Sequence, residues 1–166
     1  MLQAEKEIVA QDYETAIIID TDGNEILRKD GGKGEVSFTK DEIVKLEGCT
    51  LTHNHPSGAS FSDEDVQAVV KLKLAEIRVV GFHGATRYRY TLRPAQKIEG
   101  LVRGAFNNVA RQVELGIYRR FFGAVNTGKM SVKEANEQHY HELWQATNDR
   151  LLAQYNIDIG YSREVW

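Results

Sequence analysis

Residues 3 to 11 carry apolar positions at helical spacing, and the run YETAIIID that follows is apolar and β-branched, a strand composition. It ends in TDGN, a hairpin turn signal, from which EILRK returns as a second strand. KDGGKGE is a glycine-rich loop. Thr39 and Glu42 then form a capping box, which predicts a short helix ending at Gly48. Cys49 to His53 reads as a third strand. A second capping box, Ser62 with Asp65, opens a helix in which Val66, Val69 and Val70 recur at helical spacing towards Leu74. EIRVVG is then a buried strand and RYRYTLR an alternating one.

Beyond Pro94 the period lengthens. Ile98, Leu101, Val102, Ala105, Phe106, Val109, Val113 and Ile117 trace one face of a long helix that ends in the loop GAVNTGKM. Ser131 and Glu134 make a third capping box, opening a second long helix with Ala135, Leu143, Leu151 and Tyr155 on one face. The two read as an antiparallel hairpin packed on the preceding unit or on a partner. The order of elements predicts an α/β sandwich, residues 1–94, followed by a helical extension, residues 95–166.

Composition narrows the chemistry. With 21 basic and 24 acidic side chains in 166 residues, the formal charge is −3, so no overall field attracts nucleic acid or anionic membrane. The single cysteine, Cys49, excludes an internal disulfide and a multi-cysteine zinc cage, and leaves histidine and carboxylate as metal ligands. It fits a reducing cytoplasm, and no apolar run approaches the roughly 20 residues of a membrane span.

Within THNHPSGASFSDED, side chains two apart on a strand point the same way, so His53 and His55 present two imidazoles to one side. Pro56 and Gly58 turn the chain, and Asp65 in the next helix's first turn can fold its carboxylate back towards them. Three such ligands leave one position for water.

The run HNHPSG followed by Ser62 and Asp65 resembles the signature of the JAB/JAMM (MPN) metalloproteins, H-x-H-P-x-G, four residues, then S-x-x-D; the RadC-type branch is nearest. The resemblance spans roughly residues 12 to 92 and implies a mixed sheet flanked by helices. It also implies Zn²⁺ on His53, His55 and Asp65, with Glu14 of ETAIIIDTDGNEIL as the general base. Ser62 would donate to the oxyanion, and the implied reaction is hydrolysis of an amide or isopeptide bond in a protein or peptide. One departure stands out: three residues, Ala59 to Phe61, separate Gly58 from Ser62 where the family has four. The deletion is either absorbed in the turn or pulls Asp65 out of reach. LTHNHPSG, SFS and AEIRVVG also resemble C-terminal domains of phage head-morphogenesis and toxin-like proteins, which implies no reaction.

Plainer explanations compete at each position. Ser62 and Asp65 satisfy a helix cap without a metal, and Glu14 suits a solvated strand start. Glu35 is the rival upstream carboxylate, beside the glycine loop. Asn54 and Ser57 suit turn formers that bond the loop backbone, His83 a pocket wall or a strand end, and Cys49 a small buried filler. His139 and His141 diverge on a helix, His139 falling on the apolar face. Arg87, Tyr88, Arg89 and Tyr90, with Arg119 and Arg120, can grip nucleic acid or simply form a strand's solvated face; in an acidic chain the second is preferred. Three functions therefore stand open: a zinc hydrolase, an inactive interaction module that meets a partner through the C-terminal helices, and a phage or toxin-type domain acting on nucleic acid.

Overall fold

Every residue of Thr15–Ile19 is buried, so the strand it forms, β1, is covered on both faces and lies inside a sheet. The computed structural model describes residues 2–32, 36–94 and 101–166. Glu35 and Ile98 lie outside them, as do the side chains of Leu101 and Val102. The element order is α1 (Leu2–Ile8), β1, β2 (Glu25–Asp30), α2 (Lys40–Ile43), β3 (Thr50–Asn54), α3 (Asp63–Lys71), β4 (Glu76–His83) and β5 (Thr86–Leu92). It continues with α4 (Leu101–Asn126), α5 (Val132–Tyr155) and β6 (Tyr161–Val165).

The six strands form one mixed sheet in the order β2-β1-β3-β4-β5-β6. β1 pairs antiparallel with both β2 and β3; β3 and β4, joined through α3, are the parallel pair. The α/β mixed sheet expected from the sequence is therefore present, with the two long C-terminal helices following it. β6 was not foreseen. It adds antiparallel to β5, so residues 161–165 complete a sheet begun before residue 94.

All three capping boxes form with both reciprocal bonds. α2 is shorter than its sequence suggested: it ends at Ile43, and tighter turns carry the chain to Gly48 at φ +78°. α4 runs on through Asn126, so the first half of GAVNTGKM is helical. On α5, Ala135, Leu143 and Leu151 are buried as expected, together with Trp144 and Thr147, while Tyr155 is exposed.

One face of the sheet packs a large core that includes Ile18, Leu51, Val79, Tyr90 and Leu92 with Val113, Ile117, Trp144 and Leu151 of the hairpin. The other packs Ile17, Ile19 and Val80 under Ile8 of α1. Glu5 of α1, wholly buried, pairs with Arg78 and Arg89 and receives the Thr52 hydroxyl. The Trp144 indole donates to the Phe61 carbonyl at 2.7 Å, which ties α5 to the loop after the histidines. Among the described residues, no helix is long and apolar enough to cross a membrane.

Candidate metal centre

Strand register assembles the site. In the antiparallel β1/β3 pair Ala16 lies opposite His53, and stepping two residues along each strand brings Glu14 level with His55 on the same face. Bonds from Glu14 N to the Gly32 carbonyl and from Gly31 N to the Glu14 carbonyl, at 3.2 and 2.8 Å, fix the Glu14 backbone. Asn54, between the histidines and wholly buried, points to the opposite face. Its Oδ1 accepts from Thr15 N and its Nδ2 donates to the Tyr13 carbonyl, both at 2.8 Å. It thus clamps the backbone on both sides of Glu14, rather than the loop that follows it. Ser57, by contrast, does bond that loop, accepting from Ala59 N.

The two imidazoles converge as their spacing predicts: His53 Nε2 and His55 Nε2 are 3.1 Å apart. The turn beyond them needs Gly58. Its φ is +75°, and a Cβ there would lie 2.0 Å from the Phe82 carbonyl oxygen; a Cβ on Gly81 beneath it would lie 2.7 Å from the Gly58 Cα. His83 at the end of β4 bonds the Gly58 carbonyl. With the turn pressed onto β4 in this way, the shortened loop still delivers Asp65. Asp65 Oδ1 is 3.1 Å from His53 Nε2 and Oδ2 is 3.4 Å from His55 Nε2.

The same carboxylate caps α3. Its Oδ2 accepts from Ser62 N at 2.7 Å and from the Ser62 hydroxyl at 2.8 Å. The capping and ligand explanations of Asp65 are thus compatible, since Oδ2 carries the cap and Oδ1 faces His53. The single Ser62 proton is directed at Asp65. Glu14 Oε1 stands 3.9 Å from His55 Nε2, beyond direct hydrogen-bond length but beside the cluster of His53, His55 and Asp65.

Burial pushes the Asp65 carboxyl up, but the charge and hydrogen bonds of His53 and then His55 outweigh it, and Asp65 is held well below the usual carboxylate range. Burial likewise pulls the His55 imidazole down; the hydrogen bond and charge of Asp65, then the charge of Glu14, more than reverse this, so His55 is raised. Three atoms that each offer a lone pair and meet in a buried space need a proton or a metal ion between them. A proton on imidazole and a divalent metal compete for that role.

The buried group His53, His55 and Asp65 can hold a metal ion, its ligand atoms all lying within 4.8 Å of one another. No protein-family model, curated protein or solved structure matches this chain. The donor set itself, two imidazoles and a carboxylate, suits a divalent transition metal. His55 is oriented for it. Its Nδ1 is 3.1 Å from the Ala59 carbonyl, which only accepts, so Nδ1 carries a proton and the neutral ring turns its Nε2 lone pair to the cluster. His53 lacks this second anchor: among the described residues its buried Nδ1 has no hydrogen-bond partner, and its Nε2 faces Asp65 Oδ1 and His55 Nε2, each at 3.1 Å.

Glu14, Ser62, His53, His55 and Asp65 all line one cavity of about 660 Å³, with Ala16, Leu51 and Ala68 among its apolar walls. Behind it runs a chain of polar contacts that sequence reasoning missed. Ser60 Oγ and His141 Nδ1 each lie 2.9 Å from the Tyr161 hydroxyl, linking the loop after the histidines, α5 and β6. No motif marks this chain, because its members are up to 101 residues apart. Burial lowers His141 to about 4, so it stays neutral at ordinary pH. His139 packs instead against Phe121 and Tyr140. Cys49 is buried, its thiol donating to the Lys45 carbonyl, as a filler would be. The arginine and tyrosine strand is not a solvated face throughout: Arg89 pairs with Glu5 and Glu164, and Tyr90 is wholly buried.

Proposed function

We propose that this protein is a zinc-dependent hydrolase of the JAMM type that cleaves an amide or isopeptide bond. The observation that carries the reading is the meeting of His53, His55 and Asp65 in a cavity whose wall also holds Glu14. Zinc held by these three side chains would polarise a substrate carbonyl and lower the pKa of water. Glu14, level with His55, takes a proton from the attacking water as its oxygen bonds the carbonyl carbon, and returns it to the amide nitrogen as the C–N bond breaks. Asn54 fixes the backbone that carries this carboxylate. Ser62 steadies the Asp65 ligand through its hydroxyl; acting on an oxyanion requires that hydroxyl to turn from Asp65 into the cavity it also lines.

An inactive interaction module would be favoured by an Asp65 carboxylate out of ligand range, and 3.1 Å from His53 weighs against it. A nucleic-acid grip on the arginine and tyrosine strand is not favoured where Arg89 is already engaged by two carboxylates.

The test is metal analysis of protein purified without chelator, with cleavage assayed on mixed peptides and an isopeptide-linked substrate. Stoichiometric zinc is expected, with Glu14→Gln retaining the metal while losing roughly 10²-fold or more of the rate. Absence of zinc from wild-type protein, or full activity in Glu14→Gln, would overturn the reading.

A further inference from the structure

The metal cavity does not end at its own walls. Ser57, Ala59 and Tyr140 also line a second cavity, of about 1080 Å³, that runs between the C-terminal half of α4 and the first turns of α5. The core-facing stripe of α4 is Val109, Val113, Ile117 and Phe121. Tyr118 and Phe122 lie beside that stripe and line the second cavity, yet they are 59% and 55% exposed. Their rings stack with centroids 5.8 Å apart, a rigid apolar surface that loses little conformational freedom on contact. Asn126 and Asn136, also in the wall, offer amide donors and acceptors of the kind that pair with a peptide backbone. An apolar groove with a few polar groups, opening into a site of candidate hydrolytic residues, is the form of a substrate subsite.

We propose that this groove is the specificity subsite of the enzyme: it takes an aromatic or large aliphatic side chain of a polypeptide substrate, next to the amide bond placed at the metal centre. The proposal rests on the hydrolase reading above. A polypeptide suits the space better than a small metabolite, because the larger cavity alone reaches the upper end of small-molecule pockets and the smaller one continues it. Tyr140, common to both with Ser57 and Ala59, stands where the two meet.

The experiment uses the whole zinc-loaded chain and a random-sequence peptide mixture, with the cleavage products sequenced by mass spectrometry. A large apolar residue is expected to be enriched at one fixed position relative to the cut. Phe122→Glu and the milder Phe122→Ala are expected to lower kcat/KM on the preferred peptide roughly 10- to 100-fold, chiefly through KM, with zinc content unchanged. Because Phe122 is largely exposed, both variants are expected to fold, which far-ultraviolet circular dichroism checks. Cleavage without an apolar preference, or with a preference that both variants keep, overturns the subsite while leaving the hydrolase intact. A dimer of wild-type protein that Phe122→Glu dissociates without altering the preference gives the face to a second copy, which also overturns it. Zinc-bound wild-type protein that cleaves nothing overturns the hydrolase reading first, and the subsite with it.

Discussion

Replacing Asp65 by Asn isolates the metal from the helix cap. In the wild-type protein Asp65 Oδ2 accepts from Ser62 N and the Ser62 hydroxyl, while Oδ1 faces His53 Nε2 at 3.1 Å. The amide oxygen of Asn can keep the two bonds at Ser62, which leaves its NH₂ pointing at the histidine. That group cannot ligate a cation. Losing the charge on this hydrogen-bonded carboxylate costs about 1–3 kcal/mol in metal-free protein. The decisive quantity is the response to zinc. At a free zinc concentration of 100 times Kd, binding to the native state alone adds about 2.7 kcal/mol. For a domain of this size each kcal/mol raises Tm by about 2–4 °C, so wild-type protein is expected to gain roughly 5–11 °C. Asp65→Asn, referred to its own metal-free Tm, is expected to gain almost nothing. The assay is thermal unfolding of chelator-treated protein with and without zinc, alongside metal content after gel filtration. A zinc-induced rise in D65N equal to that of wild type would refute the assignment of Asp65 as a ligand.

Three further perturbations follow from the structure. Gly58→Ala places a Cβ 2.0 Å from the Phe82 carbonyl oxygen at φ +75°, whereas Gly23→Ala has φ +89° but open space. The first should therefore cost at least about 2 kcal/mol more than the second in urea unfolding; equal costs would mean that the turn is not pressed onto β4. The His55 ion pair gives a pH signature. His55 is raised from 6.5, so its contribution to metal-free stability is full below that value and lost as pH rises through its folded pKa. Asp65 is lowered from 3.8, so its contribution is present above that value and lost only as pH falls through its depressed folded pKa. Chelated protein should therefore lose stability as pH rises above 6.5 while the zinc-induced gain in Tm grows, and a gain independent of pH would contradict a proton–metal competition. Glu5→Ala strands Arg78 and Arg89 in a buried setting; Glu76 and Glu164 still pair with them, so the loss should fall near 3 kcal/mol, the lower end for breaking a buried ion pair. Chemical denaturation measures it, and a loss under 1 kcal/mol would show that the network does not hold α1.

The local elements were legible wherever a short-range rule controls them. The capping boxes at Thr39, Ser62 and Ser131 each predicted a helix start that the structure contains, because the cap involves only residues three apart. The i, i+2 spacing of His53 and His55 predicted converging imidazoles for the same reason: alternation along a strand is a property of the backbone. What failed were features set by long-range partners. β6 has little apolar content and four exposed residues, so nothing local marks it; it is a strand because β5 offers an open edge. Arg89 suited a solvated strand until Glu5, 84 residues earlier in the chain, was folded beneath it. Asn54 suited a turn, and its partners proved to be the backbone around Glu14.

The sequence by itself determined the parts of the candidate metal centre: two imidazoles on one face of a strand, a helix cap that carries a carboxylate, and a single cysteine that excludes a multi-cysteine cage. Only the tertiary structure decided that these parts meet. The β1/β3 register brings Glu14 level with His55, and the contact of Gly58 with Gly81 and Phe82 presses the shortened loop close enough for Asp65 to reach both histidines. Strand register and loop closure depend on residues far apart in sequence, and a periodicity read along one segment has no access to the partner that fixes it.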